Sequence, residues 1–331
     1  MSMKPTVSII IPVYKVERVL ADVLASVYSQ TYPIEEIILV DNHSPDGSVA
    51  VAKRFVSTHK KIPIRIIERK RTYGLCESYN LGAKFARTTH IVTIHSDGLL
   101  PTKYELGKLI LPFIKDPTIV AAGPKLLHRM KEWLGYNFWQ KCLFAGSVGK
   151  EIPSGNGKFD CFNRKEFLKA GGFDTKHFSH TLGSEDIDMH LRLRAVGRVV
   201  NSKACVIHAH PAEQGYTMMN WIARRKFLSL SYGRYLQLYF PGEWKRQIVF
   251  FIKPLLALIS LLGFLYPLFF LPIFIFPFLY MPIMFREPSA RSDPRIFLLP
   301  FILILLEFYE SFWMTYSFLF MRDARYNTNI V

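Results

Sequence analysis

Several patterns are missing from this sequence, and each absence argues against a class of protein. The first apolar run is not followed by a GxGxxG segment, and no GxxxxGK segment followed by Ser or Thr occurs, so a dinucleotide-binding dehydrogenase and a P-loop NTPase are disfavoured. Only 4 cysteines occur, far apart and without CxxC spacing, which favours the reduced structural thiols of a cytosolic domain. The segment 1–6 is short and polar, so no signal peptide is expected.

Acidic residues are scarce relative to basic ones. The chain has 42 Lys and Arg against 26 Asp and Glu, which gives a formal net charge of +16. Basic residues cluster beside the apolar C-terminal part at Arg224, Arg225, Lys226, Arg234, Lys245 and Arg246. A cluster in this position favours membrane lipid headgroups or lipid phosphates as partners. No nucleic acid is expected, because no nucleic-acid-binding motif is visible.

The composition changes along the chain, and the change predicts three parts. Residues 1–215 mix charge, glycine, proline and apolar runs, which is typical of a globular α/β domain. Residues 216–247 combine aromatic and basic side chains and are predicted to form an amphipathic interfacial helix, with an ordinary helix packed on the domain as the alternative. Residues 248–331 are rich in Phe, Leu, Ile and Pro and are predicted to be a membrane domain of two to three hydrophobic segments.

Strand and helix patterns alternate in the first part. Short β-branched runs predict strands at 7–14, 35–40, 64–68 and 91–94. Apolar residues at helical spacing predict helices at 16–30, 48–58 and 77–86. This rhythm indicates βαβ units and a mostly parallel sheet flanked by helices. Ligands of such sheets bind beyond the carboxyl ends of the strands.

The second predicted strand leads into the segment VDNHSPDGS. Asp41 lies at its carboxyl end, where the carboxylate can accept a hydrogen bond from a base N–H or a ribose hydroxyl. The turn at Asp46, Gly47 and Ser48 begins the next helix. A plain helix-capping loop is the alternative interpretation.

The fourth predicted strand leads into the segment IHSDG. Alternate residues of an extended segment point the same way, so His95 and Asp97 are expected to share one face. A carboxylate beside an imidazole suits Mn²⁺, and Mg²⁺ less well, bridging a diphosphate. A turn with a capping Asp is the alternative.

The segment SEDIDMHLRLR is predicted to begin a helix. Ser184 can serve as its N-cap, and Glu185 and Asp186 fall in the first turn. Acidic residues are common at this position because of the helix dipole alone, so a purely structural role is the alternative.

In their order and spacing, these segments resemble the family 2 glycosyltransferases, which have the GT-A fold. The resemblance covers residues 7–208. The matching segments are VSIIIPVYK, VDNHSPDGS, YGLCESYNLGAKFA, IHSDG, DCFNRKEFLKAGGFD and SEDIDMHLRLRAVG. The resemblance implies an inverting hexosyltransferase that uses a nucleotide-sugar donor, with a divalent metal, Mn²⁺ or Mg²⁺, on the donor diphosphate.

The resemblance also implies a set of nucleotide-sugar-binding residues: Pro12, Tyr14, Asp41, Arg71, Ser96 and Asp97. Arg71 belongs to this set because Tyr73 stands where the family has an asparagine before its first glycine, and Arg69 is the alternative cation. Asn42 stands where the family has a second Asp, which weakens any ribose contact that needs a carboxylate.

Metal-binding and catalytic roles follow from the same resemblance. Asp97 corresponds to the last acid of the DxD motif of the family and is implied as a metal ligand, completed by His95 and His208. His95 replaces the first acid of that motif, so the site loses one negative charge. Asp186 corresponds to the catalytic base, with Glu185 beside it.

The C-terminal part bears on topology and on the acceptor. The uncharged stretch within 248–285 is long enough for a hairpin of two spans, divided near 263–267. Three arginines in the loop 286–295 favour the cytoplasm for this loop, and the 1–215 domain is expected there too. The segment 296–321 is predicted to be a third span, with an interfacial helix as the alternative because Glu307 and Glu310 are costly inside a bilayer.

These expectations define a multi-pass membrane enzyme with a lipid-linked acceptor. The favoured acceptor is a glycan on a polyprenyl diphosphate, and the alternative is a polyprenyl phosphate. A non-catalytic membrane scaffold is a remote alternative that only the substitution at His95 supports. The sequence leaves the sugar, the nucleotide and a homo-oligomeric state open.

Overall fold

The structure is a computed structural model that describes residues 5–152, 157–178, 183–239, 258–270 and 281–321, together with Ile248, Ile252 and Leu255. The strands in the described part are β1 Val7–Val13, β2 Glu36–Asp41, β3 Ile64–Glu68, β4 His90–Ile94, β5 Gly98–Leu99, β6 Ile119–Leu127, β7 Glu151–Ile152, β8 Phe159–Asn163 and β9 Arg198–His208. The α-helices there are α1 Leu20–Tyr28, α2 Ser48–Thr58, α3 Leu75–Phe85, α4 Glu105–Lys115, α5 Met130–Leu134, α6 Phe138–Phe144, α7 Arg164–Lys169, α8 Glu185–Arg194, α9 Met218–Tyr239, α10 Pro282–Arg286, α11 Pro288–Arg291 and α12 Leu299–Phe320.

The first seven elements confirm the predicted βαβ rhythm. Strands β1 to β4 and helices α1 to α3 overlap the predicted ranges, with ends that shift by a few residues. β1 pairs in parallel with β2 and β4, and β2 pairs in parallel with β3. The carboxyl ends of these strands therefore meet at one edge of the sheet.

The second half of the sheet is mixed. The strand order is β3-β2-β1-β4-β8-β6-β9-β5, and β7 pairs with β6. β8 runs antiparallel to β4 and β6, whereas β6 and β9 are parallel. Because β8 is antiparallel to β4, Phe159 at its start lies opposite Ile94 at the end of β4. This reversal brings the chain before β8 to the edge where β4 ends.

Two apolar layers cover the sheet. Ile9 and Ile11 of β1 pack in one layer with α1, α2 and α4, and Ile10 packs in the other layer with α3, α7 and α8. This alternation is the two-residue period of a strand that is buried on both faces. The layers leave the loops at the carboxyl edge as the accessible part of the parallel strands.

The long helices α9 and α12 pack side by side and run in the same direction. Gly233 of α9 allows a close approach, since a Cβ added there would lie 2.2 Å from the carbonyl oxygen of Met314. Arg225 of α9 and Glu310 of α12 form a two-pronged ion pair in which Nη2 and Oε2 are 2.9 Å apart. Glu310 thus faces protein, as the predicted third span required.

The basic residues of α9 are engaged with protein groups. Arg225 is held by Glu310, and Arg234 is buried and donates to the carbonyl of Met321. The Nζ atom of Lys226 lies 3.8 Å from the centre of the Trp313 ring. These contacts are with α12 and the residue that follows it, so both interpretations of residues 216–247, an interfacial helix and a helix packed on the α/β domain, stay predictions.

One helical segment in the described part, Pro294–Phe320, is long and apolar enough to cross a membrane. It corresponds to the predicted third span. The predicted two-span hairpin of residues 248–285 lies largely outside the described residues. Within them, Leu261–Phe264 and Pro267–Phe270 form short 3₁₀ helices separated by a break at the expected position. A multi-pass arrangement therefore stays a prediction.

Candidate active site

The edge at which the parallel strands end carries strained backbone. Lys15, just after β1, has φ 54°, and His43, just after β2, has φ 62°. Ser184, which precedes α8, has φ 73° and completes the set of non-glycine residues with positive φ in the described part. Such conformations persist where the surrounding structure imposes them, commonly at functional sites.

The loop after β2 is stabilised by hydrogen bonds from its backbone N–H groups to its own Asp side chains. The Asp41 carboxylate accepts the backbone N–H of Ser44 at 3.2 Å. Burial raises the pKa of Asp41, and backbone N–H groups of Ser44 and His43 partly oppose this rise. Asp46 accepts the backbone N–H of Ser48 at 3.2 Å, at the start of α2. The helix-capping alternative therefore describes part of this loop, and the contact of Asp41 with a nucleotide stays a prediction.

Asn42 connects two loops of this edge. Its side-chain oxygen accepts the backbone N–H of Tyr73 at 2.9 Å. The guanidinium groups of Arg69 and Arg71 lie 3.7 Å and 4.6 Å from the centre of the Tyr73 ring. The chain departs from the family pattern at both Asn42 and Tyr73, and the two residues contact each other. Both Arg69 and Arg71 lie against Tyr73 at this edge, so both remain candidates for binding the diphosphate of the donor.

His95, Ser96 and Asp97 form a tight turn that is closed by a hydrogen bond from the N–H of Gly98 to the carbonyl of His95 at 2.9 Å. The predicted shared face exists, but it is made by this turn and not by an extended segment. His95 Nδ1 and Asp97 Oδ1 are 3.9 Å apart. His208 lies opposite Gly98 in the β5–β9 pair, and its Nε2 is 2.9 Å from Asp97 Oδ2. The structure therefore brings the three predicted metal ligands together.

Lys158 lies among these three side chains. The backbone N–H of His95 donates to the Lys158 carbonyl at 3.2 Å, in continuation of the β4–β8 pairing. Lys158 Nζ is 2.8 Å from His95 Nδ1 and 3.5 Å from Asp97 Oδ1. Burial disfavours the charge of Asp97, but Lys158 and then His208 outweigh burial and hold the pKa of Asp97 well below its usual range.

This donor set does not fit a divalent metal in the arrangement that the structure shows. Burial, and then the charge of Lys158, lower the pKa of His95, so its ring is neutral and Nδ1 accepts a hydrogen bond from the ammonium. In the described part, no cluster of three or more His, Cys, Asp or Glu side chains is arranged to hold a metal ion. The Mn²⁺ or Mg²⁺ predicted from the sequence would require Lys158 to leave this position.

The acidic pair at the start of α8 is buried. Ser184 is the N-cap residue, as predicted, but its side chain makes no capping hydrogen bond. Burial and then the neighbouring Asp186 raise the pKa of Glu185. Burial and then the charge of Asp160 raise the pKa of Asp186. Raised pKa values make these carboxylates better proton acceptors than exposed ones.

Gly157 connects the acidic pair to Lys158. It has φ 63°, and a Cβ added there would lie 3.3 Å from the Cβ of Asp186. Since Lys158 is the next residue, the segment that enters β8 runs between Asp186 and the turn at Asp97. Both parts of the candidate site are therefore positioned by one short piece of chain.

A buried polar group behind Asp186 was not predicted from the sequence. Asp160 of β8 is completely buried, and its Oδ2 lies 3.4 Å from Nε2 of His190. The hydroxyl of Tyr79 and Oε2 of Glu185 are buried and have no hydrogen-bond partner among the described residues. Burial and the charges of nearby acids, Asp160 first, raise the pKa of Tyr79. This cluster could not be predicted from the FDCFN segment, because the segment has the pattern of an ordinary strand apart from its Asp.

Helix α8 is anchored at its other acid, Asp188. Arg192 Nε donates to Asp188 Oδ2 at 3.0 Å, and Arg192 Nη1 donates to the carbonyl of Ala170 at 2.6 Å. The hydroxyl of Tyr239, at the end of α9, also donates to the Asp188 carboxylate. The long helix α9 thus contacts the helix that carries Asp186.

Comparison with known proteins supports the family assignment. Residues 8–167 match the family described as glycosyl transferase family 2. EpsE of Bacillus subtilis (strain 168), named as a candidate glycosyltransferase, is 29% identical over 156 residues, which are 39% of this chain and 56% of EpsE. The glycosyltransferase GlyG of Streptococcus pneumoniae is 26% identical over 98 residues, which are 30% of this chain and 32% of GlyG. The matches thus span from about a third to just over half of these relatives.

The fold has a solved counterpart over nearly its whole length. The mannosyltransferase PcManGT from Pyrobaculum calidifontis, solved in complex with GDP-Man and Mn²⁺, superposes with a TM-score of 0.59 at 18% identity. The superposition covers 97% of this chain and 89% of PcManGT. The match over residues 8–167, just under half of the chain, supports a family 2 glycosyltransferase. The predicted GT-A fold is confirmed.

Proposed function

We propose that this protein transfers a sugar, with inversion, from a nucleotide-sugar donor to a lipid-linked acceptor at a membrane. The observation that carries the proposal is the buried Asp186, which lies against Gly157, the residue before Lys158, while Lys158 reaches the Asp97 turn at the carboxyl edge of a family 2 fold. The lipid-linked acceptor is supported by the apolar helical segment Pro294–Phe320, which packs on the same domain.

The donor lies across the edge of the sheet in this proposal. Pro12, Tyr14 and Asp41 receive the nucleoside, and Ser96 and Asp97 lie toward the diphosphate. Arg71, with Arg69 beside it on the Tyr73 ring, supplies positive charge to the same edge. Positive groups near the diphosphate stabilise the charge that develops as the nucleotide leaves.

Asp186 acts as the base. It accepts the proton of the acceptor hydroxyl while the acceptor oxygen bonds to the anomeric carbon of the sugar. The bond from that carbon to the β-phosphate oxygen breaks, and its electron pair leaves with the nucleoside diphosphate. A phosphate acceptor is already anionic at neutral pH, and in that case Asp186 positions the sugar.

A transfer assay tests this proposal. The full chain in lipid nanodiscs is incubated with GDP-mannose or UDP-N-acetylglucosamine, with and without Mn²⁺ or Mg²⁺. The acceptor arms are undecaprenyl phosphate, a glycan on undecaprenyl diphosphate, and free disaccharides. We expect transfer to the glycan on the diphosphate, and we expect Asp186→Asn to lower the rate by about a hundredfold or more with nucleotide binding retained.

The exposed Asp22 of α1 provides the matched control, since Asp22→Asn removes one carboxylate from a helix that packs in the other apolar layer from α8. Equal transfer to free disaccharides would contradict a lipid-linked acceptor. Transfer only to undecaprenyl phosphate would select the polyprenyl-phosphate sugar synthase. Nucleotide binding without transfer or hydrolysis would favour the interpretation that the protein is a non-catalytic scaffold.

A further inference from the structure

We propose that the ammonium of Lys158 binds the diphosphate of the donor, so that nucleotide binding does not require a divalent metal. This inference rests on the proposed function, because it assigns a partner for the nucleotide-sugar donor. Its basis is the position of Lys158 between His95 and Asp97, where the sequence predicted a metal ion.

The fold fixes Lys158 in this position. The residue directly precedes β8, and the β4–β8 register sets its backbone against His95. Gly157 before it adopts a positive φ that turns the chain past Asp186. Lys158 is therefore not a surface lysine that happens to reach the site, since its side chain is only 17% exposed.

The contacts of Lys158 allow an anionic ligand. Its Nζ donates to the ring nitrogen Nδ1 of His95 at 2.8 Å, and its carboxylate contact, with Asp97 Oδ1, is longer. The Lys158–Asp97 distance of 3.5 Å is at the limit of a hydrogen bond, so a phosphate oxygen can take a shorter contact with the same ammonium.

The substitution at His95 is explained by the same arrangement. A neutral imidazole accepts a hydrogen bond from Lys158 and orients it without cancelling its charge. A second carboxylate at position 95 would compete with the diphosphate for the ammonium, because an opposite charge at such a distance in a buried site holds it strongly. The loss of an acid at His95 and the presence of Lys158 are therefore two parts of one arrangement.

Nucleotide binding with and without metal tests the inference. The probes are UDP, GDP, CDP and dTDP, titrated calorimetrically into the full chain in EDTA and, separately, in Mn²⁺. We expect the wild-type chain to bind at least one of them in EDTA, within about threefold of its affinity in Mn²⁺. We expect Lys158→Gln to weaken binding in EDTA by about tenfold or more, as the loss of a charge-assisted hydrogen bond requires.

Two further variants make the result specific. Lys158→Arg keeps the positive charge and should retain most of the binding in EDTA. Lys165→Gln removes an exposed lysine from α7, a few residues away, and should bind as the wild type does. Thermal unfolding of each variant without nucleotide shows whether it is folded.

The possible outcomes separate this inference from the proposed function. Wild-type binding in Mn²⁺ but not in EDTA would overturn the inference and leave the glycosyltransferase intact. Equal binding by Lys158→Gln and the wild type in EDTA would overturn it as well. Failure of every nucleoside diphosphate to bind in either condition would overturn the proposed function together with it.

Discussion

At the scale of single residues, burial and neighbouring charges shift the pKa values of two carboxylic acids of the candidate site in opposite directions. Asp97 lies beside Lys158 and His208, which keep its pKa low despite burial. Asp186 is buried near another acid, Asp160, and its pKa is raised. One carboxylate therefore stays ionised across the physiological range, and the other gains and loses its proton within reach of neutral pH.

This difference predicts the acid side of the pH–rate profile. Asp186 is a base only when it is deprotonated, so kcat/KM should fall as the pH falls through the raised pKa of Asp186. The fall should begin well above pH 4, the usual region for an exposed Asp. The measurement is kcat/KM against pH with a hydroxyl acceptor. An acid limb centred near pH 4 would show that Asp186 is not the titrating group.

The sequence pointed to some residues of this candidate site and not to others. Asp97, Asp186 and His208 were predicted from motifs, which record the residue types that chemistry requires. Lys158 and Asp160 were not predicted, because their positions depend on the antiparallel register of β8 against β4. A register is set by pairing between distant segments, and no local pattern in a single sequence specifies it.

At the scale of elements, the helix pair α9–α12 supports α8, the helix that carries Asp186. Tyr239 at the end of α9 bonds to Asp188 of α8, one turn after the acidic pair. Ser231 of α9 donates to the carbonyl of Gly183, just before α8. The position of Asp186 therefore depends on how α9 packs. The main packing partner of α9 is α12.

Gly233→Leu should disturb this seating. A side chain at residue 233 meets the backbone of Met314, which cannot move aside as a flexible side chain would. We expect a loss of about 1–3 kcal/mol in unfolding free energy, the usual cost of overpacking, together with a reduced transfer rate. Thermal unfolding and transfer assays in nanodiscs measure both effects.

The control for this prediction is Ala223→Leu, which adds a similar side chain on the exposed side of α9. It should unfold as the wild type does. Equal stability of Gly233→Leu and Ala223→Leu would show that the two helices do not depend on their close contact.

The elements themselves were predictable where the local pattern was strong. β1 to β4 are short runs of apolar residues, and the helices between them show helical spacing. The packing of α9 was not predictable, because its aromatic and basic residues suit a lipid interface as well as a protein surface. Glu310 accounts for one of these basic residues, since it supplies Arg225 with a protein partner.

At the scale of the whole molecule, the described C-terminal helices pack on the α/β domain. Residues of α10, α11 and α12 share an apolar cluster with α5, α6 and the start of α9. Trp133 and Trp221 are almost completely buried in this cluster. A bilayer contacted by α12 would therefore stand at a fixed position relative to the candidate active site.

The face of α12 that points away from α9 is apolar and exposed. It consists of large side chains near helical spacing at Phe301, Leu305, Phe312, Tyr316 and Phe320. A stripe of this size on a soluble protein would favour aggregation, whereas contact with lipid tails stabilises it. We predict that this face lies in the hydrocarbon region of the bilayer.

Spin labels test this position directly. Single cysteines are introduced as Leu305→Cys, Phe312→Cys or, as a water-exposed reference on the α/β domain, Tyr104→Cys, each in a Cys205→Ser background because that native thiol is only half-buried. In nanodiscs, labels at residues 305 and 312 should relax faster with oxygen, which concentrates in lipid, and the label at 104 should respond to a water-soluble nickel complex. Equal access of the nickel complex to all three labels would place α12 in water and remove the structural support for a lipid-linked acceptor.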